Sequence, residues 1–322
     1  MRLWASVLLS LLAAAPASKH SGTFYPVTLE GKVGYVDSQG KNLVNPQFDE
    51  GRAPSQGLAA VKLSRRWGFV DREGKLVITP QFESVGDFVE GLAWVELDGR
   101  YGFVDREGKL AINPQFKGAG NFSEGLAPVR VGDLWGFVDK SGKLAINPQF
   151  EKAEGFSEGL AAVKVGDSWG YIDKSGKLVI NPQFETARSF SDGLAPVETA
   201  SDRWGYINRK GEFVIHPQFD DAYPFASGFA RAKIGRYWGF IGKKGTFVVT
   251  PQFETALDFS EGLAAVESDN DRWGFINSKG EFAINPQFDE AENFRGGLAR
   301  VRLGRAWGYV DTSGHYVVTP TK

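Results

Sequence analysis

The sequence contains no cysteine, one methionine and three histidines among its 322 residues. Without cysteine there is neither a disulfide framework nor a lipidated N-terminal cysteine, so the fold must be stabilised by packing alone. The histidines, His20, His216 and His315, show no metal-ligand spacing. The sequence contains no candidate residue cluster for nucleophilic or metal catalysis. We therefore predict that the protein is not an enzyme and has no catalytic residue, metal or cofactor.

A strong charge of either sign is also absent. The chain has 37 Lys and Arg residues against 39 Asp and Glu residues, a net charge of −2, and no long basic run. This balance argues against nucleic acid or an anionic membrane surface as partner. With 42% hydrophobic residues the chain is not mainly disordered, and its 40 Gly, 25 Phe and 9 Trp favour short strands and tight turns.

Long hydrophobic runs are missing except at the N-terminus. Arg2 precedes an apolar stretch that ends in Ala15-Pro16-Ala17, small residues suited to a signal peptidase. The stretch is too short for a comfortable transmembrane span, and no second one follows. We therefore predict a signal peptide at residues 1–17 cleaved after Ala17, a short leader at residues 18–22, and a periplasmic or extracellular protein that is not membrane-embedded. The alternative is an uncleaved anchor.

One pattern recurs from residue 23 to residue 320. An aromatic-Gly pair returns about every 34 residues, as from Trp135 to Trp169. Pro-Gln-Phe occurs eight times without change, and a Gly-Leu-Ala step recurs with small variations. The first stretch, from Tyr25, aligns without a gap on the stretch from Ala127, and the chain stops where other copies reach Pro-Gln-Phe. These ends define nine units in a single domain.

The sequence pattern of each unit predicts three short strands. A Leu-Ala-x-Val strand and a Trp-Gly-Phe-Val strand form a hairpin, and an Asp-x-x-Gly-Lys turn leads to a Leu-Ala-Ile strand that ends at proline. The connector Phe150–Phe156 suits one tight helical turn. We predict an all-β array of nine three-stranded meander repeats, stacked as an open, solenoid-like superhelix. A closed β-propeller is the alternative. It ranks second because propeller blades usually have four strands and number at most eight.

These motifs resemble the WG repeat family of bacterial proteins. The series Trp-Gly-Phe-Val/Ile-Asp, Gly-Lys and Pro-Gln-Phe covers about residues 23–320. The resemblance implies a β-rich repeat array, often exported, with no general catalytic activity. The pattern is also distantly similar to the hairpin repeats of cell-wall-binding proteins, although the repeat length differs.

Four repeated features have a structural and a functional interpretation. The Trp series could stack on sugars, but packing between repeats is favoured because large aromatics dominate cores. The invariant Gln of Pro-Gln-Phe could bind ligand, but an amide that satisfies buried backbone groups is favoured. The Asp row could suggest calcium, but turn capping is favoured, since each turn has one carboxylate. Adjacent acids, as at Asp49-Glu50, could suggest a glycosidase pair, but solvated turn charges are favoured.

Two features remain as possible ligand contacts. Trp94 stands where other units have Ala, Pro or Arg, and a position that accepts Arg predicts an exposed aromatic. Basic residues before the aromatic could form a stripe, or a rim that covers the aromatic edges. The stripe comprises Arg66, Arg100, Arg203 and Arg272, with Arg236 and Arg305 one place earlier.

The preferred functional hypothesis is a secreted, non-enzymatic scaffold that binds another protein at the cell envelope. A binding module for cell-wall or extracellular glycan is the alternative, which needs exposed aromatics in register. A glycan hydrolase is third, and it needs an acidic pair that the repeat does not explain.

Overall fold

Each unit folds into antiparallel strands because its turns contain residues that close a hairpin. The computed structural model describes residues 23–320 and contains strands and turns, with no helix in that range. In one such turn Asp98 and Gly99 have positive φ values of 50° and 66°. This is the two-residue type I′ geometry that matches strand twist. The hairpin predicted between the first two strands of the unit is confirmed.

The Asp-x-x-Gly-Lys segment closes the next hairpin, and its aspartate caps the turn. The Gly108 N–H donates to the Asp105 carbonyl at 3.1 Å, and an Asp105 carboxylate oxygen accepts from the Lys109 N–H at 2.8 Å. Asn208 accepts in the same way from the Glu212 N–H at 3.1 Å. The turn-capping prediction is confirmed. Within residues 23–320, no three His, Asp or Glu side chains are grouped so that they could hold a metal ion.

The capped turns predict an acid-dependent stability. The Ser141 hydroxyl and the Lys143 N–H hold the pKa of Asp139 below its usual range, and Ser175 and Lys177 do the same for Asp173. A carboxyl whose folded pKa is lowered stabilises the fold above its unfolded pKa, about 3.9, and loses that contribution as pH falls through the folded value. The double variant Asp139→Asn/Asp173→Asn should therefore be less stable than wild type at pH 7 and equal to it near pH 2. Denaturation midpoints across this range measure the difference, and a pH-independent gap would contradict the assignment.

The glycine after each tryptophan is required by the last strand of its own blade. A Cβ at Gly68 would lie 2.3 Å from the Ile78 carbonyl oxygen and 2.7 Å from Pro80 N. The strand register shifts here, with Trp67 opposite Phe82 but Phe69 opposite Ile78, so the proline side of the pair bulges. The backbone of the outer strand therefore comes too close to this position for any residue with a Cβ.

The sheets have up to four strands, which we name inner, second, third and outer. The inner strands are β4 (Glu50–Gly51), β8 (Ser84–Val85), β12 (Gly118–Ala119), β16 (Lys152–Ala153), β20 (Thr186–Ala187), β24 (Asp221–Ala222), β28 (Thr255–Ala256) and β32 (Glu290–Ala291). The second strands are β1 (Tyr25–Leu29), β5 (Ala59–Leu63), β9 (Leu92–Leu97), β13 (Leu126–Val131), β17 (Ala161–Val165), β21 (Ala195–Thr199), β25 (Ala230–Ile234), β29 (Ala264–Ser268) and β33 (Leu298–Leu303). The third strands are β2 (Lys32–Val36), β6 (Arg66–Val70), β10 (Arg100–Asp105), β14 (Leu134–Asp139), β18 (Ser168–Ile172), β22 (Arg203–Ile207), β26 (Tyr237–Ile241), β30 (Arg272–Ile276) and β34 (Ala306–Asp311). The outer strands are β3 (Asn42–Phe48), β7 (Leu76–Phe82), β11 (Leu110–Phe116), β15 (Leu144–Phe150), β19 (Leu178–Phe184), β23 (Phe213–Phe219), β27 (Phe247–Phe253), β31 (Phe282–Phe288) and β35 (Tyr316–Val318).

The inner strand corrects the prediction of three strands per unit. Instead of forming a helical turn, Lys152 and Ala153 pair with Lys164 and Val163 of β17. As a strand, the connector forms hydrogen bonds with its own sheet. One isolated helical turn would instead carry the unfavourable free energy of helix nucleation with few hydrogen bonds to offset it. Sheets 2 to 9 have four strands in the order inner, second, third, outer, and within the described residues the first sheet has three, β1-β2-β3.

The predicted open superhelix is wrong, because the nine sheets form a ring. The chain is a nine-bladed β-propeller, the closed architecture that the sequence placed second. Blade 1 (β1–β3) contacts blade 9 (β32–β35): β1 meets β34, and the ring centroids of Tyr25 and Tyr309 are 5.3 Å apart. Closure covers the two apolar end faces that an open repeat array must cap.

The inner strands lie nearest the ring axis. The loops that follow them contact each other from blade to blade, as where the Ser157 hydroxyl donates to the Phe190 carbonyl at 2.7 Å. Arg295 of blade 9 donates to the Pro54 carbonyl of blade 2, past blade 1. A side chain can span that distance only where the blades converge. The hydrophobic core lies between blades; Trp67 and Phe69 of blade 2, for example, pack with Phe88 of blade 3. No helix in the described residues is long and apolar enough to cross a membrane.

Candidate functional site

The arginines predicted as ligand contacts begin the third strands, and three of them pair with carboxylates. Arg66 Nη1 lies 3.2 Å from Glu83 Oε1, and Glu83 also accepts from the Gly99 N–H at 3.2 Å. Glu83 thus joins blade 2 to blade 3. Arg100 is exposed. The equivalent ion pairs elsewhere are Arg203–Asp220 and Arg272–Asp289. Three of these four arginines therefore connect neighbouring blades. Contact between the arginines and a ligand stays a prediction.

Trp94 is half-buried rather than exposed as expected. Its indole covers Gly86, where an added Cβ would lie 2.2 Å from Nε1, and its ring centroid is 5.6 Å from that of Tyr101. Arg231 and Arg300 hold the same position in blades 7 and 9 and are also half-buried. Arginine is accepted here because its stem packs against the sheet, so its presence did not imply an exposed position.

The glutamines of Pro-Gln-Phe are exposed in all eight copies, so the predicted role in satisfying buried backbone groups is wrong. Gln183 Nε2 donates at 3.3 Å to the Asn181 carbonyl of its own strand. Along the outer strand alternate residues face opposite sides, and the phenylalanine after each glutamine is the buried one. Identity between repeats therefore did not indicate burial here.

The adjacent acids are ion-paired. Asp49 lies 2.6 Å from Lys32 Nζ, and Glu50 lies 2.7 Å from Lys62 Nζ. The Lys32 ammonium and the Ser64 N–H hold the pKa of Asp49 below its usual range. A catalytic acid of a glycosidase needs a raised pKa, so this pair belongs to the blade interface.

Three cavities lie where blade 9 meets blade 1, and two of them have charged residues in their lining. The first has a volume of about 830 Å³ and is lined by the β1–β2 hairpin at Thr28 and Glu30, and by Arg305 and Trp307 of blade 9. The second, of about 330 Å³, extends to Arg52 and its neighbours in blade 2. Arg300 lines both cavities. The repeat is interrupted at this junction, since blade 1 has no inner strand within residues 23–320.

The junction carries an excess of positive charge. Four arginines and two glutamates line the two cavities, in a protein whose net charge is −2. Arg300 Nη1 lies 3.3 Å from Glu292 Oε1, and its guanidinium lies 4.3 Å from the centroid of the Trp307 ring. Within the described residues Arg300 Nε is buried without a hydrogen-bond partner.

Two tyrosines close the ring beside these cavities. Tyr25 Oη donates to the Gly296 carbonyl at 2.6 Å, and Tyr309 Oη donates to the Pro26 carbonyl at 2.8 Å. Burial raises the pKa of both phenols, so both remain neutral donors at physiological pH. Sequence reasoning missed Tyr25, although a signal was present: the equivalent residue is alanine in the other eight units.

Comparison with protein families identifies the repeat. The model described as "WG containing repeat" matches residues 34–64, 67–101, 101–135, 135–168, 169–200, 204–237, 238–270 and 273–305. The chain belongs to the WG repeat family. The resemblance seen in the sequence is thereby confirmed by eight matches between residues 34 and 305. No curated protein matches the chain in sequence.

Solved structures similar to this family member share its fold. A crystal structure of the eukaryotic initiation factor aligns with a TM-score of 0.65 at 12% identity, covering 92% of this chain and 94% of that one. The computationally designed Ika8 protein aligns with a TM-score of 0.51 at 9% identity, covering 81% of this chain and 92% of that one. At such low identity the similarity shows the propeller architecture alone.

Proposed function

We propose that this WG repeat protein is an exported, non-enzymatic scaffold that binds another protein at the cell envelope, through the junction of blades 9 and 1. The observation that carries the proposal is the pair of cavities at this junction, where the repeat is interrupted and arginines exceed acids. Propellers commonly present such surfaces to other proteins. Export is supported by the N-terminal segment with its small residues at 15–17, which lies outside the described residues.

A protein partner fits the ring better than a glycan does. Sugar binding by stacking needs exposed aromatic rings in register. The tryptophans of the third strands are largely enclosed between blades, as at Trp204 with 4% of its surface exposed, and Trp94 is half-buried. Arginines beside a strand edge that is unpaired within residues 23–320 are instead suited to carbonyl and carboxylate groups of a polypeptide.

Photo-crosslinking in the living cell tests this proposal at one site. A photoreactive phenylalanine analogue replaces Arg305 at the junction, and in a matched variant it replaces Arg65. Both arginines are exposed and hold the same repeat position, but Arg65 lies where blade 3 supplies its own inner strand. We expect one discrete protein adduct from position 305, none from position 65, and the adduct in the envelope fraction. Intact mass of the purified protein should show a chain that starts at Ser18.

Two results would contradict the proposal. Equal adducts from positions 305 and 65 would show that the junction has no special role. A protein that keeps residues 1–17 and stays in the cytoplasm would exclude a role at the envelope.

A further inference from the structure

The inner strands of blades 2 to 9 follow one rule for backbone pairing. In blade 2 the Asp49 N–H donates to the Lys62 carbonyl and the Arg52 N–H donates to the Ala60 carbonyl, both at 2.9 Å. The equivalent two hydrogen bonds occur in each of the other seven four-stranded blades. In the register of the repeat, the two acceptors correspond to the carbonyls of Thr28 and Pro26 on β1. The Pro26 carbonyl already accepts from Tyr309 Oη, which leaves one of its two lone pairs for an added strand. Blade 1 thus presents the edge to which an inner strand pairs elsewhere.

The residue immediately before the inner strand is acidic in seven of these eight blades. In four of the seven its carboxylate accepts both from the hairpin turn of its own blade and from a basic side chain of the preceding blade. Asp49 accepts from the Ser64 N–H at 2.9 Å and from Lys32 Nζ at 2.6 Å. The other carboxylates that make both contacts are Glu83, Asp220 and Asp289.

Both partners of such a carboxylate are present at the junction. The hairpin turn of blade 1, at Glu30 and Gly31, lines the larger cavity together with Arg305 of blade 9. Arg305 is exposed and is in no ion pair within the described residues. The position of Lys32 is Ala306 in blade 9, and Arg305 stands one place earlier, as Arg236 does where it lies 3.5 Å from Glu254. An acidic side chain in this cavity would therefore meet a basic side chain and a turn amide, as Asp49 does.

The second residue of the inner strand has little room beside the neighbouring blade. It is alanine in six blades, glycine in blade 2 and valine in blade 3, and Ala222, Ala256 and Val85 are all 0% exposed. Three residues further on, most blades supply a phenylalanine that packs on the preceding blade, as Phe225 does on Tyr206 at 5.2 Å. At the junction Tyr25 already packs on Tyr309 at 5.3 Å. A short segment is thus sufficient to complete blade 1.

We propose that the edge of β1, which is unpaired within residues 23–320 and lies between the two junction cavities, binds an extended peptide of a partner protein with the sequence acidic–any–small, which adds to blade 1 as its inner strand. This inference rests on the proposed function and names its ligand. Strand addition uses backbone hydrogen bonds for affinity and side-chain pockets for specificity, and Arg305 and the small-residue position provide the pockets. The chain's own residues in this register, Ala15-Pro16-Ala17, contain no acid and lie outside the described range.

A peptide taken from the protein's own inner strand is the probe. Phe-Asp-Glu-Ala-Glu, the sequence of residues 288–292, is labelled with fluorescein and blocked at both ends, and binding to the full-length protein is followed by fluorescence anisotropy. Replacing its Asp by Asn should weaken binding by about 10-fold, the scale of one charge-assisted contact, and replacing its Ala by Ile should abolish it. Arg305→Glu should weaken binding by about 10-fold or more, whereas Arg65→Glu should leave it unchanged.

Three outcomes would overturn the inference. No saturable binding, or equal loss in Arg305→Glu and Arg65→Glu, would exclude the edge of β1 as the site. Binding that appears only after residues 1–22 are removed would show that the chain's own N-terminus occupies the edge. A partner crosslinked at position 305 without peptide binding would leave the scaffold proposal standing and remove this one, so the two can fail separately.

Discussion

Gly170→Ala is expected to destabilise the propeller by about 3 kcal/mol, at the upper end for an overpacked site. The new Cβ would lie 2.5 Å from the Ile180 carbonyl oxygen and 2.7 Å from Pro182 N. Both contacts are with backbone atoms of the outer strand, which cannot swing away as a flexible side chain would. Relief requires the bulge to move, and this disturbs the buried residue Phe184 opposite Trp169. Denaturation midpoints in guanidinium chloride measure the loss.

Gly242→Ala is the matched control for this variant. Its Cβ would meet one atom within 4 Å, Val248 Cγ2 at 3.6 Å, and its φ does not lie in the left-handed region. We expect a change within about 0.5 kcal/mol, as for an ordinary surface substitution. Equal losses in the two variants would show that the bulge does not account for the glycine after each tryptophan.

Tyr25→Ala is expected to open the ring between blades 9 and 1. The variant loses the aromatic contact with Tyr309 and the hydrogen bond to the Gly296 carbonyl, in a junction whose hydrophobic cluster also includes Val36 and Leu298. Truncating a buried aromatic to alanine costs about 3–5 kcal/mol. Hydrogen exchange should therefore accelerate in β1, β33 and β34, while blades 4 to 6 keep their protection, because each blade packs mainly on its neighbours.

Tyr171→Ala provides the comparison inside the ring. Tyr171 packs on Phe190 at 4.9 Å and donates to the Arg188 carbonyl at 2.8 Å, so its contacts match those of Tyr25 in kind. Exchange should then rise in blades 5 and 6 and not at the junction. If either variant raised exchange evenly around the ring, the propeller would unfold as one unit and the two tyrosines would not close it locally.

Local structure could be predicted wherever one residue type satisfies one geometric need. Asp105 caps its turn, and Asp98-Gly99 closes a hairpin with two positive φ values. Gly68 lies where a backbone comes too close for a Cβ. In each case the chemistry acts within a few residues, and repetition through the chain made the signal clear.

The errors concern pairing that short segments reveal weakly. A two-residue strand such as Lys152–Ala153 is too short for an alternating pattern, so the connector suggested a helical turn and the fourth strand was missed. With only three predicted strands per unit, the sequence analysis lacked a main argument for a propeller. The Pro-Gln-Phe glutamines were assigned to the interior because they never vary, yet they are exposed on the outer strands.

The candidate site could be predicted only in part. Arg305 belonged to a basic stripe without a role of its own, and Trp94 was the preferred ligand contact. The junction became visible only when the first and last blades were found in contact, through Tyr25 and Tyr309. In the sequence, the junction was marked by Tyr25, which replaces the alanine found in the other eight units.

By itself, the sequence determined the family, the all-β class, nine units, their phase and the chemistry of each turn, because these depend on contacts within one unit of about 34 residues. Only the tertiary structure decided that the array closes. Closure is the sum of small rotations between successive blades, and each rotation is set by how side chains such as Trp67, Phe69 and Phe88 interlock. No residue pattern states that sum, and the junction between blades 9 and 1 exists only because the ring closes.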